Sequence, residues 1–223
     1  MQTVIFDLDG TLADTSGDLI AAANACFRKL GHGDLLSPVK DQLTAFHGGR
    51  AMLRLGFDRL DLPWTEAEVD AQYPYLLEYY RENIDVFTKL YDRVVPALDR
   101  LATRGVPMGV CTNKPEDAAE ILLTRLGLRD RFGAMLGADT LPVRKPDPEH
   151  LFETIRRLGG IPSQSVLIGD TMTDRKTAKA ADIPCVLVTF GPEGRAVSRM
   201  EPEGLLDHYD DLDQVLAAVM RTS

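Results

Sequence analysis

Short apolar runs rich in β-branched residues recur along this chain, with helical patterns between them. They lie at Thr3 to Asp7, Pro107 to Cys111, Ser165 to Gly169 and Pro184 to Thr189, with a weaker run near Ala134 to Ala138. Runs this short, without polar alternation, describe strands buried on both faces, the habit of parallel sheets. The intervening helices have recognisable ends. One opens at Val94, carries Pro96 in its first turn and stops at Gly105; another opens at Pro115 and ends at Gly127. A third runs from Pro148 to Leu158 and halts at Gly159-Gly160, and the last covers Asp211 to Met220. Proline just inside a helix start and glycine just past its end mark these boundaries. Alternation of strand and helix predicts an open α/β sheet with helices on both faces.

The stretch from Thr15 to Phe87 breaks that rhythm and holds no convincing strand. Asp18 to Leu30 is an amphipathic helix ended by Gly31, and Ser37-Pro38 predicts a second helix start. Thr65-Glu66-Ala67-Glu68 is a capping box opening a long helix that Pro74 bends. The expected division is therefore a sheet core from 1–14 and 90–223, with a helical module at 15–89. The chain crosses between them twice, so the module could open and close as a lid; a rigid helical decoration is the alternative.

The chain has 223 residues, 44% hydrophobic and 26% charged, enough for a sizeable core without disulfides and far from a disordered composition. Lys and Arg number 25 against 34 Asp and Glu, giving a net charge of −9. That balance points away from nucleic acid and from membrane surfaces, but leaves small phosphates open wherever cations or backbone N–H groups converge. Cys26, Cys111 and Cys185 are far apart and form no CxxC, which excludes a zinc ribbon or thioredoxin-like site and suits a reduced, cytoplasmic setting. No apolar run has the roughly 18 residues of a membrane span. The segment after Met1 lacks the basic region of a secretory signal.

The chemistry is concentrated at strand ends, where open α/β sheets collect ligands. Asp7-Leu8-Asp9-Gly10-Thr11 follows the first strand, and Gly10 permits a turn that brings both carboxylates towards one ligand. A calcium loop is excluded, because glycine comes fourth and position twelve is Asp18 rather than glutamate. Thr112-Asn113-Lys114 follows the strand ending at Cys111 and precedes a helix N-terminus, an arrangement suited to an anion. Arg144-Lys145-Pro146-Asp147-Pro148 fixes a basic side chain between prolines. Gly169-Asp170 ends another strand, and Asp174 lies one helical turn beyond, so both can converge on a hard cation. Each motif alone is as well explained by turns and caps. Four at successive strand ends make one set.

These motifs, in this order and spacing, resemble the haloacid dehalogenase-like hydrolases. The resemblance covers the whole chain and implies a Rossmann-like core in which the helical module is the inserted cap domain. It implies that Asp7 is the nucleophile forming an aspartyl-phosphate and that Asp9 is the acid and base. Thr112, Asn113 and Lys145 would bind the phosphoryl group. Mg²⁺ would be held by Asp7, Asp170, the Asp9 backbone carbonyl and Asp174, the last directly or through water. Dehalogenation on the same scaffold needs neither Asp9 nor a metal, so phosphate hydrolysis is favoured.

The stretches Cys111 to Pro115, Leu141 to Pro148 and Val188 to Gly191 resemble bacterial phosphoglycolate phosphatases. The implied partner is a small phosphorylated metabolite, 2-phosphoglycolate first; a sugar-phosphate phosphatase or a β-phosphoglucomutase-like phosphomutase would use the same catalytic set. In the module, Phe46-His47-Gly48-Gly49-Arg50 departs from the G-x-G of close members. Arg50 could grip a substrate carboxylate bidentately, with His47 assisting. Two further positions complete the expectations. Asp182 stands where relatives have glycine and should adopt a left-handed turn. The tail from His208 to Asp213 should be a solvated acidic turn and helix start.

Overall fold

The computed structural model describes residues 2–60 and 62–220. The chain divides into two compact units, Met1–Ala13 with Leu90–Ser223, and Asp14–Lys89. In chain order the strands are β1 (Thr3–Phe6), β2 (Ala13–Asp14), β3 (Lys89–Leu90), β4 (Met108–Cys111), β5 (Ala134–Leu136), β6 (Ser165–Gly169), β7 (Cys185–Val188) and β8 (Gly204–Leu206). The helices are α1 (Ser16–Lys29), α2 (Gln42–Ala45), α3 (Gly49–Asp58), α4 (Glu66–Glu82), α5 (Val94–Thr103), α6 (Glu116–Arg125), α7 (Pro148–Arg157), α8 (Met172–Ala180) and α9 (Leu212–Val219).

In the α/β unit the described residues form a parallel sheet of order β5-β4-β1-β6-β7-β8. The first strand sits inside the sheet, with Ile5 in register between Gly109 of β4 and Leu167 of β6. One face carries Ile5, Leu167, Cys185 and Leu187 against Leu151 and Ile155 of α7 and Ala178 of α8. Val4, Phe6, Val166, Ile168 and Val186 alternate with them and are equally buried, so both faces are covered. That double burial is why these strands lack polar alternation. Cys111 belongs to this core: its sulfur lies 3.3 Å from His150 Nδ1, and burial pushes its thiol up to about 12.

β8 is a further strand, too short and glycine-led to stand out in the sequence. Asp182 does take the left-handed turn, at φ 54. The tail is not merely a solvated turn: Tyr209 is fully buried, and its hydroxyl donates to the Thr11 carbonyl at 2.9 Å.

In the helical unit α1 packs on α3 and α4. The Thr65 capping box forms, with the Thr65 N–H donating to Glu68 at 2.7 Å. No helix starts at Ser37-Pro38. Asp41 instead accepts the Ser37 N–H at 2.7 Å and both Arg59 donors at 2.6 and 2.7 Å, closing a turn before α2. α3 was hidden by its glycines. It buries Met52, Leu53 and Phe57, and Gly56 gives room to Phe27, whose ring would lie 2.1 Å from any added Cβ. No described helix is long and apolar enough to cross a membrane.

Candidate active site

The carboxyl ends of β1, β4 and β6 are neighbours, because β1 pairs with the other two. Asp7 follows β1 directly, and its backbone N–H donates to Ile168 O of β6 at 2.8 Å. The chain then turns tightly: the N–H groups of Thr11, Leu12 and Ala13 all point at Leu8 O, and Gly10 N–H donates to Ala13 O at 2.9 Å. Gly10 has φ 80, and a Cβ there would lie 2.1 Å from Asp170 Oδ2. Only glycine allows both the turn and the approach of the Asp170 carboxylate.

Asp7 Oδ1 accepts the Leu8 N–H at 2.7 Å and lies 3.0 Å from Lys145 Nζ. Lys145, on the loop between β5 and α7, also donates to Asp174 Oδ1 at 2.7 Å. Its backbone carbonyl accepts from Asn113 Nδ2 at 2.9 Å, which ties that loop to the end of β4. Thr112 is buried at the same end, where its hydroxyl accepts the Lys114 N–H at 3.2 Å. Asp174 opens α8. Its Oδ2 accepts from Thr171 Oγ1 at 2.7 Å and from the Thr171 N–H at 3.1 Å, so it caps the helix while facing Lys145. Asp170 Oδ1 accepts from Thr11 Oγ1 at 3.1 Å.

The structure thus brings Asp7, Asp170, Asp174 and Lys145 into one buried cluster. Oxygens of the three carboxylates lie within 4.8 Å of one another. One lysine against three carboxylates leaves excess negative charge in a desolvated place. Burial raises Asp7 to about 6, Asp174 and Asp9 add to the rise, and Lys145 opposes it. Burial, followed by the charges of Asp174 and Asp7, pushes Asp170 well above the usual carboxylate range. For Lys145, burial disfavours the charge, but Asp174 and Asp7 outweigh it and hold the ammonium above its ordinary value.

Asp170 Oδ2 is buried and accepts no hydrogen bond. A buried carboxylate oxygen without a donor is costly, and here it belongs to a cluster of three carboxylates. Hard oxygens, excess negative charge and a bare acceptor fit a small divalent cation such as Mg²⁺. The Asp9 carboxylate stands outside this oxygen cluster and is held instead by Lys114 Nζ, at 2.9 and 3.0 Å from its two oxygens.

The two candidates in the helical unit are placed differently. Arg50 opens α3, pairs with Asp70 of α4, and lies 4.3 Å over the Tyr73 ring. His47 is exposed just before Gly48. Three residues of the α/β site escaped the sequence reading: Lys114, Thr11 and Tyr209. The first two stand inside motifs already singled out, whereas nothing near Tyr209 hinted at burial.

A family model for haloacid dehalogenase-like hydrolases matches residues 4–188. A phosphoglycolate phosphatase of Mesorhizobium japonicum is 38% identical over 96% of this chain and 94% of its own length. One from Agrobacterium fabrum is 35% identical over 95% and 91%. The crystal structure of a predicted phosphoglycolate phosphatase from Haemophilus somnus superposes with a TM-score of 0.83 at 25% identity, covering 96% of this chain and 97% of that one. The chain belongs to the haloacid dehalogenase-like hydrolases. Its sheet is the Rossmann-like core of that family, and the Mesorhizobium and Agrobacterium relatives, which share nearly its whole length, carry the name of one phosphatase.

Proposed function

We propose that this phosphoric monoester hydrolase cleaves a small phosphate monoester, 2-phosphoglycolate first among them, through an aspartyl-phosphate on Asp7 with Mg²⁺ as cofactor. The observation that carries the proposal is the donor-less Asp170 Oδ2 beside Asp7, with Lys145 in the same cluster. Asp7 and Asp170 would hold the ion with the Asp9 backbone carbonyl, and Asp174 would act directly or through water. The cation would neutralise charge on the phosphoryl oxygens and let two anions approach.

The chain's own residues supply the rest. A carboxylate oxygen of Asp7 attacks phosphorus as the ester P–O bond breaks. Lys145 and Thr112, with the Asn113 N–H, steady the transferring oxygens. Asp9 gives its proton to the departing alkoxide, then takes one from the water that attacks the aspartyl-phosphate, releasing phosphate and restoring Asp7. Residues 15–89 act as a substrate-selecting cap, where Arg50 would exchange Asp70 for a substrate carboxylate and His47 assists. The three buried free cysteines accord with a reducing cytoplasm.

A panel of phosphate esters assayed with Mg²⁺ tests this. The highest kcat/KM should fall on 2-phosphoglycolate, and EDTA should abolish turnover. A preference for sugar phosphates would overturn the substrate, isomerisation of glucose phosphates would make the chain a mutase, and full activity after metal removal would overturn the cofactor. Arg50→Ala should lose 2-phosphoglycolate turnover while keeping that of p-nitrophenyl phosphate. Equal loss on both would remove Arg50 from recognition.

A further inference from the structure

We infer that Lys114 is a positioning residue that holds the Asp9 carboxylate in the orientation from which it hands a proton to the leaving group. The inference rests on the acid role proposed for Asp9. Lys114 stands two residues beyond Thr112, and its side chain is 2% exposed. Its Nζ lies 2.9 and 3.0 Å from the two Asp9 oxygens, so both ends of the carboxylate are held.

The backbone of residues 8–13 is locked by its own turn hydrogen bonds, but those bonds leave the Asp9 side-chain torsions free. The Asp9 side chain is 20% exposed, so packing alone does not immobilise it. Proton transfer demands hydrogen-bond distance to the reacting oxygen, and small displacements are expensive. A two-point contact from a buried ammonium removes the rotation that would spoil that distance. One oxygen stays held while the other carries the proton.

The division of labour between the two buried lysines supports the same conclusion. Lys145 contacts Asp7 and Asp174, on the nucleophile and ion side of the site. Lys114 contacts Asp9, on the acid side. A flexible, strongly hydrated side chain is an expensive choice for simply tying two loops together, since buried ion pairs are weak contributors to stability.

Leaving-group dependence separates positioning from mere support. An alkyl alkoxide needs its proton as the ester P–O bond breaks, whereas p-nitrophenolate departs without one. In Lys114→Met, kcat/KM for 2-phosphoglycolate should fall roughly 100-fold and that for p-nitrophenyl phosphate less than about 5-fold. Lys114→Arg, which keeps a two-point donor, should restore most of the alkyl rate. Lys114→Gln, which keeps N–H donors but loses the charge, should fall between them and serves if the methionine variant does not fold. Equal losses on both esters, or no loss on either, overturn the inference. Asp9→Asn run alongside keeps the two claims apart. If it fails to discriminate between the esters, the acid role of Asp9 is wrong; if it discriminates and the Lys114 variants do not, only the role of Lys114 is.

Discussion

Asp18 and Asp41 of the helical unit are about as deeply buried as Asp170 of the α/β unit, yet their surroundings are opposite. Asp18 accepts from the Phe87 N–H at 2.9 Å, and from the Thr88 N–H and hydroxyl at 2.8 and 2.7 Å. Asp41 receives the Arg59 guanidinium and the Ser37 N–H, and the Arg59 hydrogen bonds hold its carboxyl below the usual range. These two are fully served and tie chain segments together. Asp7 and Asp170 are pushed up by burial, and one Asp170 oxygen accepts nothing. Burial of a carboxylate is therefore no sign of function by itself. What separates Asp170 from Asp18 and Asp41 is that the protein leaves one of its oxygens without a donor.

Removing charge from the unserved group should produce the largest effect. Asp170→Asn keeps the side chain's size but removes an anionic oxygen from the proposed cation position. We expect kcat/KM to fall on the order of 10³-fold. Stability without metal should hold or rise, because a repulsive buried carboxylate has gone. Calorimetry supplies the second signature. Mg²⁺ at ten times its Kd should stabilise the wild type by about 1.4 kcal/mol, roughly 3–6 °C in a chain this long. Asp170→Asn should show no such shift, and an unchanged Mg²⁺ response in that variant would erase the contrast between the two sets of carboxylates.

The served group should behave the other way. Asp18→Ala strands the Phe87 and Thr88 N–H groups, while the Thr88 hydroxyl keeps the Ile84 carbonyl, and should lower stability by about 2–3 kcal/mol, or roughly 4–12 °C in Tm. The Mg²⁺-induced shift should survive in this variant, since none of its lost bonds belongs to the α/β unit. Loss of Mg²⁺ binding without loss of stability would reverse the assignment of Asp18 as purely structural.

The same contrast explains how much could be seen in the sequence. Asp7 and Asp170 were legible because each follows a strand that both faces of the sheet bury, and such strands are conspicuous runs; Lys145 was marked by Pro146 and Pro148. The boundaries of β6 and α7 were equally plain, one as an uninterrupted apolar run, the other fixed by Pro148 and Gly159. α3 was not, because Gly48, Gly49 and Gly56 look like loop, whereas Gly56 is required by the Phe27 ring. The Ser37-Pro38 helix start failed because Asp41 and Arg59 offered the backbone a closed turn instead. Lys114 and Tyr209 make contacts 105 and 198 residues away in sequence, and no local pattern encodes a partner at that distance.

The smallest predicted effect concerns pH, and its sign differs between the two sets. Asp7 in the folded, metal-free protein sits at about 6, above its unfolded value near 4. Between those values the folded state binds more protons than the unfolded one, so stability falls as pH rises through that window. Asp170 is raised for the same reason and acts in the same direction. Asp41 is lowered, so its contribution is complete above the ordinary carboxylate range and is lost only as pH drops below it. From pH 5 to 6.5 Asp41 is therefore silent, and the raised carboxylates act against His150, whose buried ring is held below its ordinary value and so favours the folded state as pH rises. The Asp7 contribution alone should lower Tm in EDTA by roughly 2–4 °C over that interval, about 1 kcal/mol for a group titrating near 6, and a variant with His150 replaced removes the opposing contribution. Mg²⁺ competes with those protons, so the gap in Tm between Mg²⁺ and EDTA samples should widen as pH rises. A gap independent of pH would mean that the buried carboxylates are ionised throughout, and that the protein itself balances their charge.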